Sequence, residues 1–290
     1  MARMDNGIRL PSGVSSHEEW LDLSDGAAVR VVELTPNLRE RGDDPIIVFV
    51  PGVLSTMHGW LAVLGELLTR YPVLYLETRE KVTSRVRRVR PGGFTVERLC
   101  DDLAEVLAAR VGPTRPFCFM GSSLGSTVIV EYLGRGERRP ATSILIAPNA
   151  EFRGPRWFFP LVRVLPLWLF VAFKPASRWY LTNVMLDPQE EPEQVARYGR
   201  CIDLADPAKL RASVVALQDY QGWESYGRIR DPVLILAGES DRFHSLDDTR
   251  RIASLIPGAR LRILGSNRET HSVTAAQIAL EEIGQVWHRS

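Results

Sequence analysis

Gly121-Ser122-Ser123-Leu124-Gly125 sets a serine between two glycines, directly after the apolar run 117–120 and before a helical pattern over 124–133. A sharp strand-to-helix turn needs small residues beside its central residue, and it lifts that residue's hydroxyl clear of a sheet. The helix that follows offers backbone N–H groups where negative charge would develop. The chemistry implied is nucleophilic attack by Ser123; the plain alternative is a tight turn with a capping serine.

A serine hydroxyl is a weak nucleophile and needs a base, which in turn needs orienting. Five histidines are available: His17, His58, His244, His271 and His288. His271 falls in a loop between the last apolar run and the last helical pattern, at the expected carboxyl edge of a sheet, and is the expected base. Asp241 follows the apolar run 233–237 through Gly238-Glu239-Ser240, at the same edge, and is the expected acid. The order Ser, Asp, His suits a triad built on such a turn. Glu239 is a weaker acid candidate, and Asp247 and Asp248 read as the first turn of a helix. His244 is a rival base, set aside because it would share one short loop with the acid. The expected oxyanion hole combines the amide of Leu124 with that of Val53, after Pro51-Gly52; the latter pair also reads as a plain turn.

The elements that must position these groups are legible from periodicity. Residues 19–23 and 29–34 alternate around Ser24-Asp25-Gly26, a hairpin signal. Short apolar runs at 45–50, 73–76, 117–120, 143–147, 233–237 and 261–264 read as strands, most of them buried on both faces. Between them lie helical patterns at 59–71, 95–111, 124–133, 246–256 and 273–288. This alternation predicts an α/β fold, a mostly parallel sheet with helices on both faces. Residues 149–229 break the pattern and are rich in Pro and aromatics. They are expected to form a helical cap between two strands, dividing the core into 1–148 and 230–290.

The residues so far resemble the α/β-hydrolase superfamily in its single-domain form with a cap. The resemblance runs from about Trp20 to Trp287. It rests on the 121–125 turn, Gly238-x-x-Asp241, Ile256-Pro257-Gly258-Ala259, Asp101-Asp102-Leu103 in the helix at Thr95, and His271 before a terminal helix. Two departures stand out. The family commonly has His-Gly where this chain has Pro51-Gly52, and Asp-x-Arg-Gly-x-Gly-x-Ser where it has Glu77-Thr78-Arg79-Glu80-Lys81-Val82-Thr83-Ser84. Relatives that dehalogenate or open epoxides carry Asp at the turn, so Ser123 implies acyl chemistry. The expected function is hydrolysis of an ester-type bond of a hydrophobic small molecule through an acyl-enzyme. Acyl transfer, C–C hydrolysis on the same triad, or a non-catalytic binding protein keeping the fold are the alternatives.

The cap is strongly apolar, and Trp157, Phe158, Trp168 and Phe170 are expected to line a substrate pocket, with burial in the cap's own core or peripheral contact with a membrane surface as alternatives. Residues 157–173 are interrupted by Pro160, Arg163 and Pro166, too short and broken for a spanning helix. The run Arg79, Lys81, Arg85, Arg87, Arg88 and Arg90 reads as a solvated face or as an anion site. A formal net charge of +1 over 290 residues gives no reason to expect nucleic acid. The three cysteines, Cys100, Cys118 and Cys201, fit no zinc or redox spacing, and no secretory leader is seen, so a cytoplasmic protein is expected. No metal or organic cofactor is expected.

Overall fold

A computed structural model of the chain describes residues 11–37, 44–153, 158–186, 188 and 191–287. Eight strands form one sheet in the order β1-β2-β4-β3-β5-β6-β7-β8. They are β1 (Val14–Asp22), β2 (Ala28–Pro36), β3 (Ile46–Val50), β4 (Val73–Glu77), β5 (Phe117–Ser122), β6 (Ser143–Ile146), β7 (Val233–Gly238) and β8 (Arg260–Leu264). The first two pair antiparallel, as do β2 and β4, and every later pairing is parallel. The β1–β2 turn forms where Asp25 accepts the Ala27 amide (3.0 Å) and Gly26 takes φ +79°.

The helices of the core are α1 (Leu61–Leu67), α2 (Val96–Arg110), α3 (Leu124–Arg135), α10 (Leu246–Leu255) and α11 (Val273–Trp287). Between β6 and β7 lie α4 (Phe158–Val164), α5 (Leu167–Ala172), α6 (Lys174–Asn183), α7 (Pro192–Leu204), α8 (Pro207–Leu217) and α9 (Trp223–Arg228). The chain is therefore an α/β fold with a mostly parallel sheet and a helical insertion between two strands. No described helix is long and apolar enough to cross a membrane.

Strands β3 to β7 are buried along their whole length because helices cover both faces. Val96, Leu99, Leu103, Val106 and Leu107 recur at helical spacing on α2, and with Val128, Ile129, Tyr226 and Ile252 they form the core on one face. On the other face Val63, Leu64 and Leu67 of α1 meet Ala275, Ala276, Ala279 and Ile283 of α11. Burying each large aliphatic side chain contributes roughly 1.5–3 kcal/mol, which fixes where the carboxyl ends of β3, β5, β6 and β7 converge. The edge strand β8 presents Arg260 and Arg262, charges that discourage a further strand from pairing there.

Candidate active site

Ser123 sits at the tip of β5 with φ 51° and ψ −117°, a conformation costly for a residue with a side chain. The surroundings enforce it. Its amide donates to the Ile146 carbonyl (2.8 Å), and its own carbonyl accepts from Thr127 N (3.0 Å). A Cβ on Gly121 would lie 2.6 Å from Ile129 Cδ1, and one on Gly125 would overlap the Val50 carbonyl. Both glycines are thus required by close backbone approach, as the sequence suggested for this turn.

The serine is met by His244. Its Nε2 lies 3.0 Å from Ser123 Oγ, and its Nδ1 lies 2.9 Å from Asp241 Oδ2. Those partners fix the tautomer: Nδ1–H donates to the carboxylate and Nε2 accepts from the hydroxyl. The Asp241 side chain is 2% exposed, yet it is heavily hydrogen-bonded. Oδ1 accepts the amides of Phe243 (2.8 Å) and His244 (3.3 Å), and Oδ2 also accepts Asn267 Nδ2 (2.8 Å). Burial raises its pKa, but the bonds from His244, Asn267 and Phe243 prevail and hold it below the ordinary 3.8.

The expectation that His271 is the base is corrected by this geometry. His271 lies in a tight turn after β8, where its Nδ1 is 2.9 Å from the Asn267 carbonyl and 3.0 Å from Thr270 Oγ1. Its ring packs against Trp60 at 4.2 Å between centroids. Among the described residues it makes no hydrogen bond to Ser123 or Asp241. Desolvation, with the positive Arg197 nearby, pushes its pKa well below 6.5, so it is neutral. The physical reason for the exchange is the turn at Asp241. By capping the amides two and three residues ahead, the carboxylate folds the loop so that the His244 ring swings back over its own acid. Sharing one short loop, which counted against His244, is what brings the two together.

The residue after β8 that does reach the site is Asn267, held in turn by Gln194 Nε2 of α7 (3.1 Å). Asn149 is a further participant that the sequence did not reveal: its Nδ2 donates to Ser123 Oγ at 3.3 Å. Ala147, at φ 46°, ends β6 in a turn that sends Asn149 toward the serine, and Thr127 Oγ1 bonds both its amide and its carbonyl. Among the described residues Ser123 and Ala147 are the two non-glycine positions with positive φ, and both serve this site. Asp-x-x-His spacing was the signal available for His244; for Asn149 and Asn267 there was none.

Leu124 opens α3, so its N–H has no intrahelical partner. The 51–53 loop abuts the nucleophile: a Cβ on Gly52 would lie 3.2 Å from Ser123 Cβ. Lys81 Nζ donates to the carbonyls of Gly52 and Val53, the latter at 2.6 Å, and pairs with Glu80 at 3.0 Å. Lys81 therefore fixes this loop from beneath. Arg79 is likewise buried, forking onto Asp102 and reaching Asp25 at 2.8 Å. Two members of the basic run are thus internal struts, neither a solvated face nor an anion site, while Arg87, Arg88 and Arg90 are exposed. The glycines missing from this loop leave no strain, since none of residues 77–84 has positive φ.

The cap residues expected to line a pocket are Trp157, Phe158, Trp168 and Phe170. Trp157 and the Phe158 side chain lie outside the described residues. Trp168 is 70% exposed, and Phe170 is half-buried. The Asp241–His244 loop meets α7, whose Tyr198 stacks on Phe243 at 5.0 Å and 19°, and the end of α6, where Arg242 donates to the Val184 carbonyl (3.0 Å).

The fold agrees with what the chain is similar to. The model of the serine aminopeptidase S33 family matches residues 92–274. The chain belongs to this family. It is an α/β-hydrolase, as the sequence resemblance implied. Among solved structures it is similar to a hydrolase from Pseudomonas aeruginosa PA01, at 23% identity and TM-score 0.70, covering 93% of this chain and 96% of that one. It is also similar to the enol-lactonase from Burkholderia xenovorans LB400, at 20% identity and TM-score 0.73, covering 92% and 100%. An esterase from Exiguobacterium antarcticum aligns at 15% identity and TM-score 0.74, covering 91% and 98%. No curated protein sequence matches the chain.

Proposed function

We propose that this α/β-hydrolase cleaves an ester-type bond of a hydrophobic small molecule, with Ser123 as nucleophile, His244 as general base and Asp241 as the acid that orients it. The observation that carries the reading is the continuous line of hydrogen bonds from Ser123 Oγ through both nitrogens of His244 to Asp241. In the reaction His244 Nε2 takes the hydroxyl proton as Oγ attacks the carbonyl carbon. Asp241, kept ionised, stabilises the imidazolium that results. The amides of Leu124 and Val53 are assigned to the oxyanion, and Asn149 Nδ2 holds the serine oxygen in line. His244 then returns its proton to the leaving alcohol. Water, activated by the same nitrogen, releases the acid from the acyl-enzyme.

Support for an apolar substrate comes from the aromatic pair Tyr198 and Phe243 beside the base. The esterase and the enol-lactonase that the fold resembles are both named for ester-type bonds.

The test is labelling with a fluorophosphonate probe together with turnover of a p-nitrophenyl ester series. Ser123→Ala should abolish labelling, and Ser123→Ala and His244→Ala should each lower kcat by about a thousandfold or more. His271→Ala should keep kcat within roughly tenfold of wild type, because its Nδ1 is committed to a carbonyl. A His271 variant as inactive as Ser123→Ala, beside an active His244 variant, would reverse the assignment of the base.

A further inference from the structure

The outer face of the cap differs from the rest of the surface. Of the large apolar side chains exposed among the described residues, nine fall between positions 161 and 184. Val164 is 75% exposed, Trp179 63% and Phe173 52%, alongside Trp168. The whole of α5 reads Leu-Trp-Leu-Phe-Val-Ala and has no buried residue. A helix apolar on all sides is ordinarily covered, and contiguous exposed apolar surface of this kind marks a place where something else docks. The backbone behind it is anchored inward: Arg211 of α8 donates to the carbonyls of Val162 (3.0 Å) and Arg163 (2.8 Å). The segment is thus held on the body of the protein through buried Val162, while Val164, Trp168, Phe173 and Trp179 face away from it.

Charge decides between occupants. Residues 152–186 contain Arg153, Arg156, Arg163, Lys174 and Arg178 and no Asp or Glu. Arg153 pairs with Glu151 and Asp248, and Arg178 with Asp203, so Arg163 and Lys174 are the cations that give the described outer face its charge. A second copy of the chain docking face to face would set these like charges against one another. A negatively charged lipid surface would meet them with opposite charge, and it accepts Trp, Tyr and Phe at the headgroup boundary. Helices of six to ten residues, too short to span, suit a segment that lies on a bilayer.

We infer that the face formed by α4, α5 and α6 binds the surface of an anionic lipid bilayer. Apolar side chains enter the acyl boundary, and Arg163 and Lys174 lie at headgroup level. The inference stands on the cap's surface and is independent of which bond the site cleaves.

The test is flotation of the whole protein with vesicles of phosphatidylcholine, with and without phosphatidylglycerol, at low and high salt. Wild type should float with the anionic vesicles, with affinity reduced at least about tenfold by removing phosphatidylglycerol or by high salt. Two variants separate the contributions: Val164→Ser/Phe173→Ser/Trp179→Ser, and Arg163→Glu/Lys174→Glu. Each should lose about tenfold or more in vesicle affinity while its circular dichroism and melting temperature match wild type. Wild type that stays with the unbound fraction at every composition would overturn the proposal. So would a concentration-dependent dimer, seen by size exclusion, that both variants dissolve, since a second copy would then cover this face.

Discussion

At the scale of single residues, His244 and His271 divide their work by what surrounds them. His244 faces a carboxylate on one side and a hydroxyl on the other, the environment a base needs. His271 is packed against Trp60 with its Nδ1 given to a carbonyl, the environment of a neutral structural ring. A histidine whose folded pKa is depressed leaves the unfolded chain binding the extra proton as pH falls below 6.5. Stability from this residue is therefore present above that pH and is lost on acidification, at up to about 1.4 kcal/mol for each pH unit. Urea melts of wild type and His271→Gln between pH 7.5 and 5 should show a shallower decline in the variant. Parallel declines would mean that the ring takes its proton in the folded state. Both residues read from the sequence as loop histidines near the right edge, and only the turn made by Asp241 distinguishes them. That turn comes from side-chain bonds to the amides of Phe243 and His244, which no periodicity records.

At the scale of elements the sequence was far more informative. Runs such as 46–50 and 233–238 are buried on both faces and so carry an unbroken apolar signature, and α2 and α10 announce their starts through Thr95 and Ser245. The places of Ser123 and Asp241, between these elements, are readable from the sequence in the same way. What stayed hidden were partners delivered from loops, Asn149 and Asn267, because their roles depend on backbone turns. The elbow itself makes a sharp prediction. Gly125→Ala drives a methyl into the Val50 carbonyl and should cost at least about 3 kcal/mol or prevent folding. Gly136→Ala, at the open left-handed end of α3, should cost only about 1 kcal/mol. Equal losses in urea denaturation would show that the close approach at Gly125 is relieved by backbone movement.

At the scale of the whole molecule, the cap is fastened to the sheet by apolar burial, with Tyr226 and Ile229 in the core, and by polar ties. Lys209 Nζ of α8 donates to the carbonyls of Lys81 (2.8 Å) and Ser84, beneath the same loop that Lys81 uses to hold residues 52 and 53. Lys209→Met keeps the bulk but removes both bonds and leaves the Ser84 carbonyl without this donor, while the Lys81 carbonyl keeps the Ser84 amide, at a cost of about 1–3 kcal/mol. Limited proteolysis should cut the 149–229 region faster in this variant; unchanged cleavage would mean that the tie is dispensable. The sequence could not reveal such ties, since a lysine in a helix reads as a surface residue until its neighbours are known. The short spacing of Asp241 and His244 has a consequence at this scale as well. In the proposed triad, acid and base ride on one loop, tied to each other by the Asp241–His244 bond and the Phe243 amide, so a shift of the sheet edge moves them together. Readiness for attack then reduces to one coordinate, the gap between that loop and the tip of β5, and whatever shifts α7 against the loop sets it.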